Sequence, residues 1–138
     1  MGGSPVSEAL AAGEAWSIVL PYETPPLTEN QRIHWATRRK LVARVRERAS
    51  WEARSRRIPP LSRCRVDLEW HVATNHRRDA DNVVPTLKAL CDGLVDAGVV
   101  PDDTPDLMEK TMPAIVRLPT GRKKADQFLL LRITELIT

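Results

Sequence analysis

Residues 64–73 alternate without a fault: Cys64, Val66, Leu68, Trp70 and Val72 are apolar, and Arg65, Asp67, Glu69 and His71 between them are polar. Side chains of an extended chain repeat every two residues, so this segment is predicted to be a strand with one buried and one wetter face. Residues 16–20, Trp-Ser-Ile-Val-Leu, form a shorter strand closed by Pro21. The Pro25-Pro26 pair with Thr28, Glu29 and Asn30 then makes a long connecting loop, placed to lie over another part of the molecule. From 35 to 57 the period becomes helical, with Leu41, Val42, Val45 and Ala49 on one side, until Pro59-Pro60 end the segment.

A second helix is expected from about Pro85. Val84, before a proline, is pushed toward extended geometry, and proline is welcome at the first helical position. Leu87, Leu90, Cys91 and Leu94 supply its core face, and Gly98 its C-terminal stop. Residues 107–118 read as a further strand, in which Pro113 implies an edge or bulge position. Thr120 to Lys124 make a basic turn, and 128–137 return as the last strand. The expectation is an α/β fold: a small single domain with a mixed four-stranded sheet and two helices, in the order β-α-β-α-β-β. The domain is expected to occupy 16–138 and to follow a flexible tail over 1–15, whose small, weakly polar residues bury too little to offset ordering.

Charge adds a second pattern. The chain of 138 residues carries a net charge of +3. Residues 35–57 contain nine cations, including Arg38, Arg39, Lys40 and Arg44, against only Glu47 and Glu52. That is a net +7 on one helix, so the remainder of the chain is net acidic. Two carboxylates are too few for i,i+4 neutralisation, which favours contact with a polyanion's phosphates over a merely solvated face. Cys64 and Cys91 lie in apolar patterns without ligand-spaced partners; they are expected to be buried free thiols in a reducing, cytoplasmic setting. No apolar run approaches the roughly 20 residues that span a bilayer, and no secretory order opens the chain, so no membrane partner is expected.

The chemistry is concentrated between Arg77 and Asp103. Asp79 and Asp81 would share a side if the backbone between them were extended. Two carboxylates so placed repel unless a cation sits between them, and Mg2+ is the natural occupant because it takes oxygen ligands and keeps positions for water and phosphate. The structural alternative is that Asp81 or Asn82 caps the next helix while Asp79 pairs with Arg77 or Arg78. Lys88 and Asp92, four apart, share a helix face and can form a surface ion pair. His76 stands near the acids, but a loop histidine is more often neither ligand nor acid.

The run Arg78-Asp79-Ala80-Asp81-Asn82, the helix bearing Lys88 and then Asp92, and Gly98 followed by Asp102-Asp103 together resemble the RusA family of Holliday-junction resolvases. The opening strand and the last two strands resemble that family in order and length. Relative to the family's spacing, one extra helical turn of chain, Val83 to Leu87, precedes the lysine. The resemblance implies a homodimeric, Mg2+-dependent endodeoxyribonuclease (Mn2+ substituting) that acts on four-way, branched DNA by paired symmetric nicks during recombination and repair. It places the metal carboxylates on Asp79, Asp81 and Asp103 and the essential lysine on Lys88. Phosphate contacts would fall to Arg77, Arg78, Arg38, Arg39, Lys40, Arg122, Lys123 and Lys124. A non-catalytic branched-DNA-binding protein of the same fold is the rival expectation. Geometry bears on the dimer too: a helix of about 20 Å carries the chain away from Asp81, so Asp103 either comes from a two-fold related subunit or reaches its own Asp81 by a segment that runs almost straight back, and helix length alone leaves both open.

Overall fold

The computed structural model describes residues 11–137. Along the chain these form β1 (Ala11–Leu20), α1 (Trp35–Ser55), β2 (Cys64–Val72), a 3-10 turn (Ala80–Val83), α2 (Val84–Asp96), β3 (Met108–Lys110), β4 (Ala114–Arg117), a second 3-10 turn (Lys124–Asp126) and β5 (Phe128–Ile137). The result is a small single α/β domain with one mixed sheet. β5 lies between β1 and β2 and is antiparallel to both, while β3 and β4 run parallel to β2 along its other edge.

The sheet has five strands where four were expected, because the segment 107–118 is broken. β3 pairs with Cys64–Val66 and β4 with Glu69–Val72. Between them Pro113 has no N–H to give to the ladder. Thr111 bridges the gap, its N–H donating to the Val66 carbonyl at 3.2 Å and its hydroxyl to Asp67 at 2.6 Å. The break therefore sits on an edge, as Pro113 implied.

β1 begins at Ala11, so Ala11 to Ala15 are strand rather than tail; residues 1–10 lie outside the described part. The small side chains that argued against burial do not prevent backbone pairing, and the far end of β5 supplies the partner, with Ala11 opposite Ile137 and Ala15 opposite Thr134. The register shifts between Ala12 and Ala15. At Gly13 a Cβ would stand 2.6 Å from the Glu135 carboxylate, so a larger residue in this irregular stretch would have to displace the end of that side chain.

Both helices cover one sheet face. Ile18, Leu20, Val66, Leu68, Leu131 and Ile133 point into the core from the strands, and Val45, Ala49, Leu87, Leu90, Cys91 and Leu94 meet them from α1 and α2. The helices cross where Gly93 lies against the backbone of α1: a Cβ there would press on the Arg46 carbonyl oxygen and come within 2.8 Å of the Ala49 Cβ. α2 stops at Gly98, whose φ is 82°. The Gly98 and Val99 N–H groups close onto the Val95 and Leu94 carbonyls at 2.9 and 3.0 Å, and Val99 and Leu94 are both fully buried. α1 ends the same way without glycine: Arg57 takes φ 55°, and its N–H and that of Ile58 bond to Arg54 and Ala53. The helix thus stops at Ser55, two residues short of the sequence expectation. Among the described residues, no helix is long and apolar enough to cross a membrane.

Candidate functional site

The topology brings one end of the sheet into focus. β1 and β2 are parallel to each other through β5, so the loops after Leu20, after Val72 and before Phe128 leave at the same end, together with the N-termini of α1 and α2. That end is where open α/β sheets usually bind ligands. It carries the Asp79–Asn82 motif, Arg77, Arg38 and Arg39, and the Arg122–Lys124 turn.

The acid motif is built around a tight turn. Asp79 is extended (φ −101°, ψ 126°), but Ala80 already opens the 3-10 turn that runs directly into α2. The extended alternation that would have aligned Asp79 with Asp81 is therefore absent, since a 3-10 turn repeats every three residues. Both aspartates are nonetheless exposed. Asp79 caps the turn by position without a side-chain hydrogen bond, and Arg77 Nε approaches it only to 3.9 Å. Nor does Asn82 cap the helix. Its side-chain oxygen accepts from the Asn30 N–H at 3.0 Å, and its carbonyl from the Glu29 N–H at 3.3 Å.

Those bonds explain the long loop over 21–34, which lies on the start of α2. Thr86, fully buried, completes the seam: its hydroxyl donates to the Leu27 carbonyl at 2.6 Å and accepts from the Leu27 N–H at 3.1 Å. Arg38 then donates to the Thr28 carbonyl at 3.3 Å and the Gln31 side chain at 3.1 Å, joining α1 to the same loop. The sequence offered no signal for Thr86, which reads as an ordinary helix residue.

Arg78 is spent on structure. It donates to the Thr74 and His76 carbonyls at 2.9 and 3.0 Å and to the Thr74 hydroxyl, and its guanidinium lies 4.9 Å from the Trp70 ring centroid. Partial burial and the charge of Arg117 both lower its pKa. Arg77 next to it has a side chain 92% exposed and is the better phosphate contact. Arg122, Lys123 and Lys124 are exposed as well. His76 is exposed and enters through its backbone carbonyl alone.

Lys88 is exposed on α2. Its expected ion pair with Asp92 is not among those of the described residues. The lysine that finds a carboxylate is Lys110 on β3, whose Nζ donates to Asp103 at 2.9 Å. That bond holds the Asp103 carboxyl below its ordinary range. Partial burial works against the Lys110 charge, yet the bond to Asp103 and the nearby charges, Asp92 included, leave its pKa raised. Lys110 was not singled out from sequence, because β3 is a fragment too short to read. The Asp103 backbone N–H donates in turn to the Asp102 carboxylate at 2.8 Å.

These contacts place Asp103 beside the Asp92 turn of α2. From Asp81 to Asp92 the chain climbs roughly 18 Å, three 3-10 steps of about 2.0 Å and eight α steps of about 1.5 Å. One chain thus brings Asp79 and Asp81 together and leaves Asp103 with Lys110. Among the described residues no three His, Cys, Asp or Glu side chains are grouped to hold a metal ion.

No protein-family model matches the chain. The chain is similar to an uncharacterized protein of Xylella fastidiosa (strain Temecula1 / ATCC 700964), 29% identical over 102 residues, which span 67% of this chain and 65% of that one. The chain thus covers just under two thirds of that relative's length.

The basic helix is less uniformly free than its composition implied. Buried Glu52 takes both Arg48, at 2.8 Å, and Arg56, and Asp96 of α2 holds Arg46 with two bonds of 2.8 and 2.9 Å. Arg39, Lys40 and Arg44 remain exposed, with Arg39 lying 5.7 Å from the Trp35 ring centroid. Both cysteines are buried and free; burial pushes the Cys64 thiol up to about 11 and that of Cys91 up to about 12.

Proposed function

We propose that the protein is a divalent-metal-dependent endonuclease for branched DNA, similar to the RusA resolvases, with a site completed across a homodimer. The observation that carries the proposal is the pair Asp79 and Asp81: two exposed carboxylates with no strong cationic partner, at a sheet end otherwise rich in Arg and Lys. Such hard oxygen donors fit Mg2+, which binds through one or two carboxylates and fills its remaining positions with water and phosphate oxygens. Asp79 and Asp81 would hold such an ion, which would supply Lewis acidity toward a phosphoryl oxygen and toward water. Arg77, Arg39, Lys40 and the Arg122–Lys124 turn hold phosphates and so orient the strand, giving affinity without sequence information. Arg78 fixes the loop that presents the acids, and Lys88 provides a cation for charge developing on the phosphate.

Asp103 is held by Lys110 near Asp92, and Asp92 lies roughly 18 Å along the turn and α2 from Asp81, which favours a third carboxylate from a second copy. Two-fold symmetry would also set two sites for paired nicks. The buried thiols accord with a reducing, cytoplasmic setting. A second reading is branched-DNA binding without cleavage, which the exposed cations of α1 and of the Arg122–Lys124 turn would serve without the acids. The two readings separate when the protein is incubated with a four-way junction and a matching linear duplex, with and without Mg2+. The nuclease reading expects symmetric nicks in the junction only with the metal, and their loss in Asp81→Asn while junction binding in EDTA survives or tightens. Binding with no nicks under any divalent ion would leave the non-catalytic reading.

A further inference from the structure

α1 carries an unusual row. Trp35, Arg39, Ala43, Glu47 and Trp51 follow one another at intervals of four and form one slanted ridge, which winds round the helix by about 40° at each step. Every member is exposed, and the two indoles at its ends are 64% and 60% exposed. On one side runs the row Lys40, Arg44, Arg48; on the other, Arg38, Arg46 and Arg54; Lys40 and Arg44 are exposed, while Arg48 is held by Glu52, Arg38 by the loop, and Arg46 and Arg54 by Asp96. The ridge and the second row line one open cleft. The other two tryptophans, Trp16 and Trp70, are packed against the core.

Exposed indoles carry a large apolar area that water does not reward, and here they stand between rows of cations. An acidic or apolar protein partner would use one feature or the other. An unpaired nucleic-acid strand uses both, because every base has a face that stacks on an indole and every step carries a phosphate. We infer that the Trp35–Trp51 ridge is a platform for unpaired nucleotides, with bases on the two indoles and phosphates along the exposed cations Arg39, Lys40 and Arg44. Two copies facing through this ridge would set like charges against each other. The inference rests on the proposal above in taking DNA as the ligand, and it adds that the strand is unpaired where it meets α1.

The geometry sets the length of the ligand. Sixteen residues separate the tryptophans, about 24 Å along the helix axis and about 160° round it. At about 3.4 Å per stacked nucleotide a strand needs at least about seven steps to reach both. Trp35 opens α1 at the sheet end that carries Asp79 and Asp81, so a strand on the ridge leads away from the acids. Glu47 is the one carboxylate in the row and opposes the phosphates.

The test is titration of the full chain in EDTA with oligothymidylates of twelve and three nucleotides and with a twelve-base-pair duplex. Intrinsic tryptophan emission and fluorescence anisotropy are followed. The twelve-mer is expected to quench tryptophan emission and to bind far more tightly than the three-mer, which cannot bridge the indoles. Trp35→Ala and Trp51→Ala should each weaken twelve-mer binding by about 5- to 150-fold, the range of one lost base stack. Trp→Phe at either site should retain most of the affinity, and Glu47→Gln should tighten it. Duplex affinity should stay within about twofold throughout. Unchanged twelve-mer affinity in both alanine variants would overturn the inference, as would an equal loss for the duplex. So would a dimer that becomes monomeric in Trp51→Ala with single-strand binding intact, since the ridge would then join two copies. Binding in EDTA involves no cleavage, so failure to cut junctions would sink the nuclease proposal and leave the platform standing.

Discussion

Replacement of Thr86 by Val tests how the loop over 21–34 is held at the candidate site. The two side chains have nearly the same shape, so packing is preserved while the hydroxyl is lost. That hydroxyl satisfies both the N–H and the carbonyl of Leu27, at 3.1 and 2.6 Å, and Thr86 and Leu27 are both fully buried. Water cannot take its place without opening the seam. Leaving a buried donor or acceptor unmade costs about 1–3 kcal/mol each, so two should cost about 2–6 kcal/mol, less a small gain from the more apolar side chain. For a chain of this length that corresponds to a fall in Tm of up to about 20 °C and of at least several degrees, from an unfolding entropy of about 2.1 cal/mol/K per residue. Thr86→Ser is the control: it keeps the hydroxyl and loses one buried methyl, worth about 1 kcal/mol. Urea and thermal unfolding of the three proteins, with amide exchange at Leu27 and Asn30, measure the difference. If the Val protein were more stable than the Ser protein, the hydroxyl bridge would not be what holds the loop to α2.

Gly93→Ala should destabilise by about 1–3 kcal/mol and lower Tm by about 3 to 10 °C, although alanine is the better helix former, because its Cβ meets the Arg46 backbone; unchanged thermal unfolding would mean that the helices are not so close. The carboxyls of Asp96 and Asp103 are held below their ordinary range by hydrogen bonds from Arg46 and Lys110. Their contribution is therefore full above about pH 4 and is lost as pH falls through the depressed values; Asp96→Asn with Asp103→Asn should flatten stability against pH on that acid side, by a few tenths of a kcal/mol per exposed pair. Replacing Arg39, Lys40 and Arg44 together by Ala should flatten the slope of log affinity for DNA against log salt by about one to three units, and an unchanged slope would return that face to solvent. Arg38 is left in place because it ties α1 to the loop.

Where pattern and packing coincide, the fold was legible. The alternation through β2, the Leu87 to Leu94 stripe and Gly98 each describe a local rule that the tertiary structure obeys. β1 was cut short because Ala11 to Ala15 carry no pattern of their own and take their strand from β5. β3 and β4 were fused because Pro113 marks an interruption whose length depends on what Thr111 can bond to. The candidate site divides in the same way. Asp79 and Asp81 are neighbours in sequence and lie together at one sheet end, but the turn at Ala80 changes how they face. Asp103 was linked to them by resemblance, and its actual partner, Lys110, is set by where β3 docks on β2. The loop seam through Asn82 and Thr86 depends on residues more than fifty positions apart, which no single-sequence period encodes.

The shared site is tested most directly by mixing subunits. Asp81→Asn and Asp103→Asn proteins, each expected to be inactive alone, are unfolded together, refolded, and incubated with a four-way junction and Mg2+. If Asp103 serves the partner's Asp79 and Asp81, a mixed dimer has one site with both lesions and one with none, so nicking of a single strand should return. If the refolded mixture forms dimers and cuts nothing, the acids do not combine across subunits and the account of the site is wrong.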